Sequence, residues 1–129
     1  GIRDLVRSRG LGDGYKRQVV YTTGVAGGRI DLPTMCRVLS ENPAKLYGLY
    51  PRKGCIAPGA DADIVIYDPE ADHTLRAAEM VSRCDYTPFE GFRTSGSIAA
   101  VYLRGALAVD HGAVRDVKGE YLFRGKCML

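Results

Sequence analysis

Apolar residues change their spacing about halfway along this chain. From Asp31, Leu32, Met35, Cys36 and Leu39 recur at helical intervals, with Asp31 placed to cap the first turn and Pro33 tolerated within it. A second helix is expected in "ENPAKLYGLY", where Asn42 suits an N-cap, Pro43 the first helical position and Gly48 a left-handed exit. Leu46 and Leu49 then read as core residues. Before Asp31 the pattern is weak: residues 1–29 are rich in glycine, and only "QVVY" (18–21) reads as a short strand or a helical turn.

After "YPRKG" (50–54) the helical period disappears. Short β-branched runs bounded by Gly, Pro and Asp take over, giving candidate strands "DIVIY" (63–67), "HTLR" (73–76), "IAAVYLR" (98–104), "ALAVD" (106–110) and "EYLFR" (120–124). Arg104–Gly105 and "DHG" (110–112) are expected to reverse the chain, and "RAAEMVS" (76–82) to make one helical turn. The run Ile64 to Tyr67, continuous in apolar residues, predicts a strand buried on both faces. Asp61 and Asp63 stand before it and Asp68–Pro69 turns the chain after it, so its acidic flanks read as punctuation rather than as a metal site.

The 129 residues, 46% hydrophobic and 26% charged, suit one ordinary domain or pieces of two and argue against disorder. A net charge of +3, with basic residues scattered apart from Arg3, Arg7, Arg9, Lys16 and Arg17, does not make the dense basic face that nucleic acid requires. The cysteines Cys36, Cys55, Cys84 and Cys127 contain no CxxC pair and follow no secretory leader, which predicts free, partly buried thiols in a reducing cytoplasm. Cys127 is third from the end, so "KCML" is not a prenylation box, and no apolar run approaches a membrane span of roughly 20 residues.

Candidate chemistry is sparse. His73 and His111 stand far apart without HxH or HExxH spacing and read as structural residues. "SGS" (95–97) lacks the strand-to-helix setting of a nucleophile elbow, and "TTGVAGGR" (22–29) lacks the endings of a phosphate cradle, leaving a flexible connection as its expected role. In "DYTPFEGF" (85–92) the aromatics are expected to fasten a loop to the core, with Asp85 and Glu90 left in solvent.

Three stretches are more specific: "SENPAKLYGLYPRKGCIAPGADADIVIYDP" (40–69), "DYTPFEGF" (85–92) and "VYLRGALAVDHGAV" (101–114). In order and spacing they closely resemble the C-terminal region of dihydropyrimidinases and hydantoinases, cyclic-amide hydrolases of the amidohydrolase superfamily, from about Tyr21 to the C-terminus. The resemblance implies an α+β fragment. Residues 1–50 would be the C-terminal edge of a (β/α)8 barrel, its closing helices, and residues 51–129 the C-terminal strands of a small composite β-sandwich. It implies hydrolysis of dihydropyrimidines or hydantoins with two divalent metal ions, usually zinc, that activate a bridging hydroxide. The ligands in the family are an HxH pair, a carboxylated lysine, two further histidines and an aspartate, all upstream of the matching region. Catalytic, substrate-binding and metal residues are therefore expected to be none in this chain, which alone is expected to be inactive and to hold no cofactor. Its implied partners are the N-terminal part of the same enzyme and, as in full-length relatives that form tetramers, further copies.

Residues 1–18 diverge. Where the family carries an Asn-Gly-x-Pro-Gly loop whose asparagine contacts substrate, this sequence has "GLGDGYKRQ" without an equivalent asparagine. Two alternatives stay open: a non-enzymatic dihydropyrimidinase-related interaction protein, whose corresponding loop typically lacks the proline of "TPFEG", and another cyclic amidase such as an allantoinase. Unpaired strand edges and an uncovered helix face further predict that the isolated chain associates with itself.

Overall fold

The computed structural model describes residues 15–80 and 85–129. Arg3, Arg7, Arg9, Cys84 and the end of "RAAEMVS" fall outside them. Helix comes first and sheet second, as the change in spacing predicts.

The first helix among the described residues is α1 (Lys16–Val20), which widens into a π-helical stretch over Tyr21–Ala26. Two threonines account for the widening. The Thr22 hydroxyl donates to Gln18 O and the Thr23 hydroxyl to Val19 O, both at 2.7 Å, so the carbonyls that an α ladder would use are already occupied. The glycine-bearing "TTGVA" is thus helical, not the flexible connection expected from its composition, and only Gly27–Ile30 turn the chain.

A second helical segment starts at α2 (Leu32–Cys36), passes through a π-helical turn at Arg37–Glu41 and continues as α3 (Asn42–Leu46). Asp31 caps it as expected, its carboxylate accepting from Thr34 N at 2.8 Å. Asn42 does not start a separate helix: its backbone is helical, with φ −62° and ψ −44°. Pro43 is accommodated inside a continuous helix because the wide turn before it relieves the missing N–H and the ring's clash with the preceding carbonyl. Gly48, at φ +66°, ends the helix as predicted.

Four strands, β1 (Ile64–Asp68), β4 (Ser97–Leu103), β5 (Ala106–Asp110) and β6 (Ala113–Val114), make an antiparallel sheet in the order β1-β4-β5-β6. Between them β2 (His73–Thr74) and β3 (Arg93–Thr94) pair separately. Both predicted reversals form: Arg104 and Gly105 have φ of 47° and 79°, and His111 and Gly112 of 43° and 83°, the left-handed pair that a tight hairpin needs. Register shifts at Ile66/Tyr67 and at Val101/Tyr102 place β-bulges on both sides of β4. "RAAEMVS" contributes a 3-10 turn at Ala77–Glu79.

Two further expectations fail. "EYLFR" is not a strand: residues 115–129 follow the surface without regular secondary structure. And β1 is not buried on both faces, for Ile66 is 47% exposed and no residue of the strand is fully buried. An apolar run reports what a strand can bury, and the described residues supply no layer over the Ile66 side. The core is correspondingly small: Met35, Ala44, Leu75, Leu103 and Ala108.

Candidate functional site

Among the described residues, a dense group of charges sits where the helices hand over to the sheet. Asp61 and Asp63 are joined by a tight turn in which Asp63 N donates to Asp61 O at 2.8 Å, and their side chains reach the same lysine. Lys53, from the loop after α3, lies between them: its Nζ is 2.8 Å from Asp61 Oδ2 and also bonds Asp63 Oδ2. Arg52 Nε donates to Asp61 Oδ2 at 2.9 Å, and Asp63 Oδ1 accepts from Arg104 N, in the β4–β5 turn, at 2.9 Å. The Asp61 carboxyl is held below its ordinary range, first by the Lys53 hydrogen bond and further by Arg52, against partial desolvation. The two carboxylates therefore do assemble, contrary to the reading of them as punctuation, but around a lysine. The signal was present in the Asp-x-Asp spacing, whereas the basic partner lay in a separate loop.

A second junction joins the π-helical stretch after α1 to the sheet through the "SGS" loop. Ser95 N donates to Thr22 Oγ1 at 2.9 Å, the Tyr67 hydroxyl donates to Ser95 O at 2.8 Å, and the Tyr21 and Tyr67 rings meet at a tilt of 47° with centroids 4.6 Å apart. Desolvation, with a smaller contribution from Tyr21, pushes the Tyr67 phenol up to about 12. Gly96, at φ +84°, lies so close to Tyr67 that a Cβ there would stand 2.6 Å from its ring. This loop is a seat for a helix and contains no nucleophile elbow.

The histidines serve locally. His73 Nε2 is 3.1 Å from Glu79 Oε2, and His111 Nδ1 is 2.9 Å from Asp110 Oδ1. Asp110 is held acidic by that contact first and by Arg115 second. Phe89 and Phe92 meet edge to face at 6.4 Å beside the fully buried Leu75, as the loop reading predicts. Glu90 is not left to solvent alone: its Oε2 accepts from Ala77 N at 2.6 Å and caps the 3-10 turn. Cys36, Cys55 and Cys127 are free thiols, and Cys36 and Cys127 are exposed rather than partly buried.

These residues do not fit a binuclear metal centre. Among the described residues no three His, Cys, Asp or Glu side chains converge. The best carboxylate pair is already neutralised by Lys53. Nor is any described helix long and apolar enough to cross a membrane. What the arrangement can do is join two helical segments to a sheet through charge, hydroxyl and aromatic contacts.

Comparison with known proteins gives the same architecture a parentage. The profile of the Amidohydrolase family matches residues 8–108. A D-hydantoinase of Ralstonia pickettii is 38% identical over 113 residues, 86% of this chain and 25% of that protein. Dihydropyrimidinase-related protein 5 of Homo sapiens is 39% identical over 104 residues, 81% of this chain and 18% of that protein. Among solved structures, a D-hydantoinase superposes with a TM-score of 0.82 at 38% identity, over 88% of this chain and 25% of its own length. The D-hydantoinase (dihydropyrimidinase) of Thermus sp. gives 0.79 at 39%, again over 88% and 25%. The chain thus spans between 18% and 25% of the length of these relatives. Because the family profile covers most of its residues and the hydantoinase likeness extends from helices through sheet, the chain belongs to the amidohydrolase family.

Proposed function

We propose that this chain is the C-terminal part of a hydantoinase- or dihydropyrimidinase-type hydrolase that opens the ring of cyclic amides. The observation that carries the reading is the match to D-hydantoinases, 38% identical with a TM-score of 0.82, over 88% of this chain but 25% of theirs. In this reading residues 1–50 close a barrel, residues 51–129 contribute to a β-sandwich, and two divalent metal ions are held by residues elsewhere in the polypeptide. The described residues would act by packing: the Lys53 cluster and the Ser95–Tyr67 junction hold the barrel-side helices against the sheet. Assembly into a homo-oligomer in the cytoplasm belongs to the same proposal.

The test is complementation. A D-hydantoinase lacking its matching C-terminal quarter is co-expressed with this chain, and hydrolysis of hydantoin, dihydrouracil and allantoin is measured. Restored ring opening of hydantoin or dihydrouracil is the expected result, and preference for allantoin would move the substrate to another cyclic amidase. Stoichiometric zinc together with dihydrouracil hydrolysis by the isolated chain would refute the supporting role.

The second reading, a dihydropyrimidinase-related interaction protein, rests on the 39% identity to the human related protein 5. The proline of "TPFEG", Pro88, favours the enzyme. Complementation separates the two, since an interaction-type segment would restore the fold without restoring turnover at enzyme level.

A further inference from the structure

The last fifteen residues, 115–129, are almost wholly exposed and form neither helix nor strand, yet they run from the sheet to the end of α3 along a defined path. At the sheet end, Arg115 N donates to Ala108 O at 2.8 Å, and the Arg104 guanidinium donates to Lys118 O at 2.8 Å. Midway, Glu120 lies 3.9 Å from Arg52 and 4.0 Å from Arg104. Such loose, exposed pairs guide a chain more than they hold it. At the helix end, Gly125 N donates to Tyr47 O at 3.0 Å, taking up a carbonyl beyond the helix's own bonds, and Met128 N donates at 2.9 Å to Lys45 O, which also accepts from Gly48 N at 3.1 Å.

The crossing itself is backbone on backbone. A Cβ on Gly125 would stand 2.7 Å from Gly48 O, and one on Gly48 would meet Gly125 C and stand 2.5 Å from Lys126 O. The left-handed Gly48 already requires glycine for its φ, whereas at Gly125 the requirement is purely one of space. Between these anchors Leu122 is half-buried, while Tyr121 and Phe123 are largely exposed and meet edge to face at 4.9 Å. Together with Gly48–Arg52 they line an open cleft of about 370 Å³. The contact is therefore narrow, held at two ends and poorly packed in the middle, and local opening of such a segment is independent of the sheet it leaves.

We propose that residues 115–129 form a detachable strap, latched at the Gly48–Gly125 crossing, that ties the end of α3 to the sheet and opens with the sheet intact. Opening uncovers the cleft wall at Leu49, Tyr50 and Arg52 and frees the carbonyl of Tyr47, while Lys45 O keeps its bond from Gly48 N.

Amide exchange and tryptic cleavage of the full chain test this. In low denaturant the amides of Gly125 and Met128 should exchange through an opening that denaturant hardly affects, while those of Val101 and Val109 exchange much more slowly. Gly125→Ala should speed cleavage after Lys118 and Arg124 at least tenfold and leave Val101 and Val109 unchanged, and Lys126→Ala should leave both unchanged. If strap and sheet amides exchange together in the parent chain, or if Gly125→Ala leaves cleavage at the parent rate, the strap is overturned.

Discussion

Lys53 shows how one side chain decides the meaning of its neighbours. Without it, Asp61 and Asp63 would be two carboxylates facing the same way beside an apolar strand. With it, they hold the loop after α3, and all three side chains are mostly covered, Lys53 and Asp61 at 18% exposure. Lys53→Met should therefore destabilise the fold by about 1 kcal/mol, read as a shift in urea midpoint, since the pairs are partly solvated and the aspartates then repel. The pH dependence has a definite sign. Asp61 has a lower affinity for its proton in the folded chain than in the unfolded one, so its contribution is complete above its ordinary pKa of 3.8 and is lost as the pH falls through the lower folded value. Asp61→Asn should thus lower the thermal midpoint near pH 6, and the difference from the parent should shrink only as the pH falls below the ordinary carboxylate range. Tyr67 works in the other direction: its neutral form is favoured, so its contribution is present below the ordinary 10.0 and lost as the pH rises through about 12. Among the eight tyrosines, an ultraviolet titration should show one late phase that Tyr67→Phe removes.

Elements were legible wherever local chemistry sufficed. The Asp31 cap, the Gly48 exit, both left-handed hairpin turns and the bounds of β5 follow from residue type and spacing, because caps and tight turns are satisfied within a few residues. Failures occurred where a longer contact intervened. Pro43 and Asn42 read as a helix start, but a π-helical turn lets the helix continue through them. "EYLFR" is a short apolar run between charges that reads as a strand, yet no described sheet edge receives it and it lies along the surface instead. Asp31→Ala should lower the thermal midpoint and reduce helical circular dichroism, with Asp31→Asn retaining both, since asparagine also caps. Leu75 is fully buried against the 85–92 loop, so Leu75→Ala should cost about 2–4 kcal/mol, measurable by chemical denaturation.

At the scale of the whole molecule, the described core is too small for its apolar content. Ile56 is 86% exposed and Phe123 85%, and Leu32, Val38, Leu46, Tyr47 and Ile66 also face outward. Both helix faces and the free edge of β1 offer surface that ordinary monomers cover. The isolated chain is expected to self-associate in sedimentation at micromolar concentration and to become monodisperse when the complementing polypeptide covers it. A monodisperse, cooperatively unfolding monomer would argue against a supporting segment of a larger hydrolase.

Sequence by itself determined the division into helix and then sheet, the caps and reversals, and through three ordered stretches the family, because these depend on residue type and on short spacings along the chain. Tertiary structure decided which charges meet, how Pro43 is carried inside a helix and where the last fifteen residues go. Lys53 and Asp63, Thr22 and Ser95, and Gly48 and Gly125 are brought together by chain reversals, and each pairing is stable only once the backbone has placed donor against acceptor or glycine against glycine.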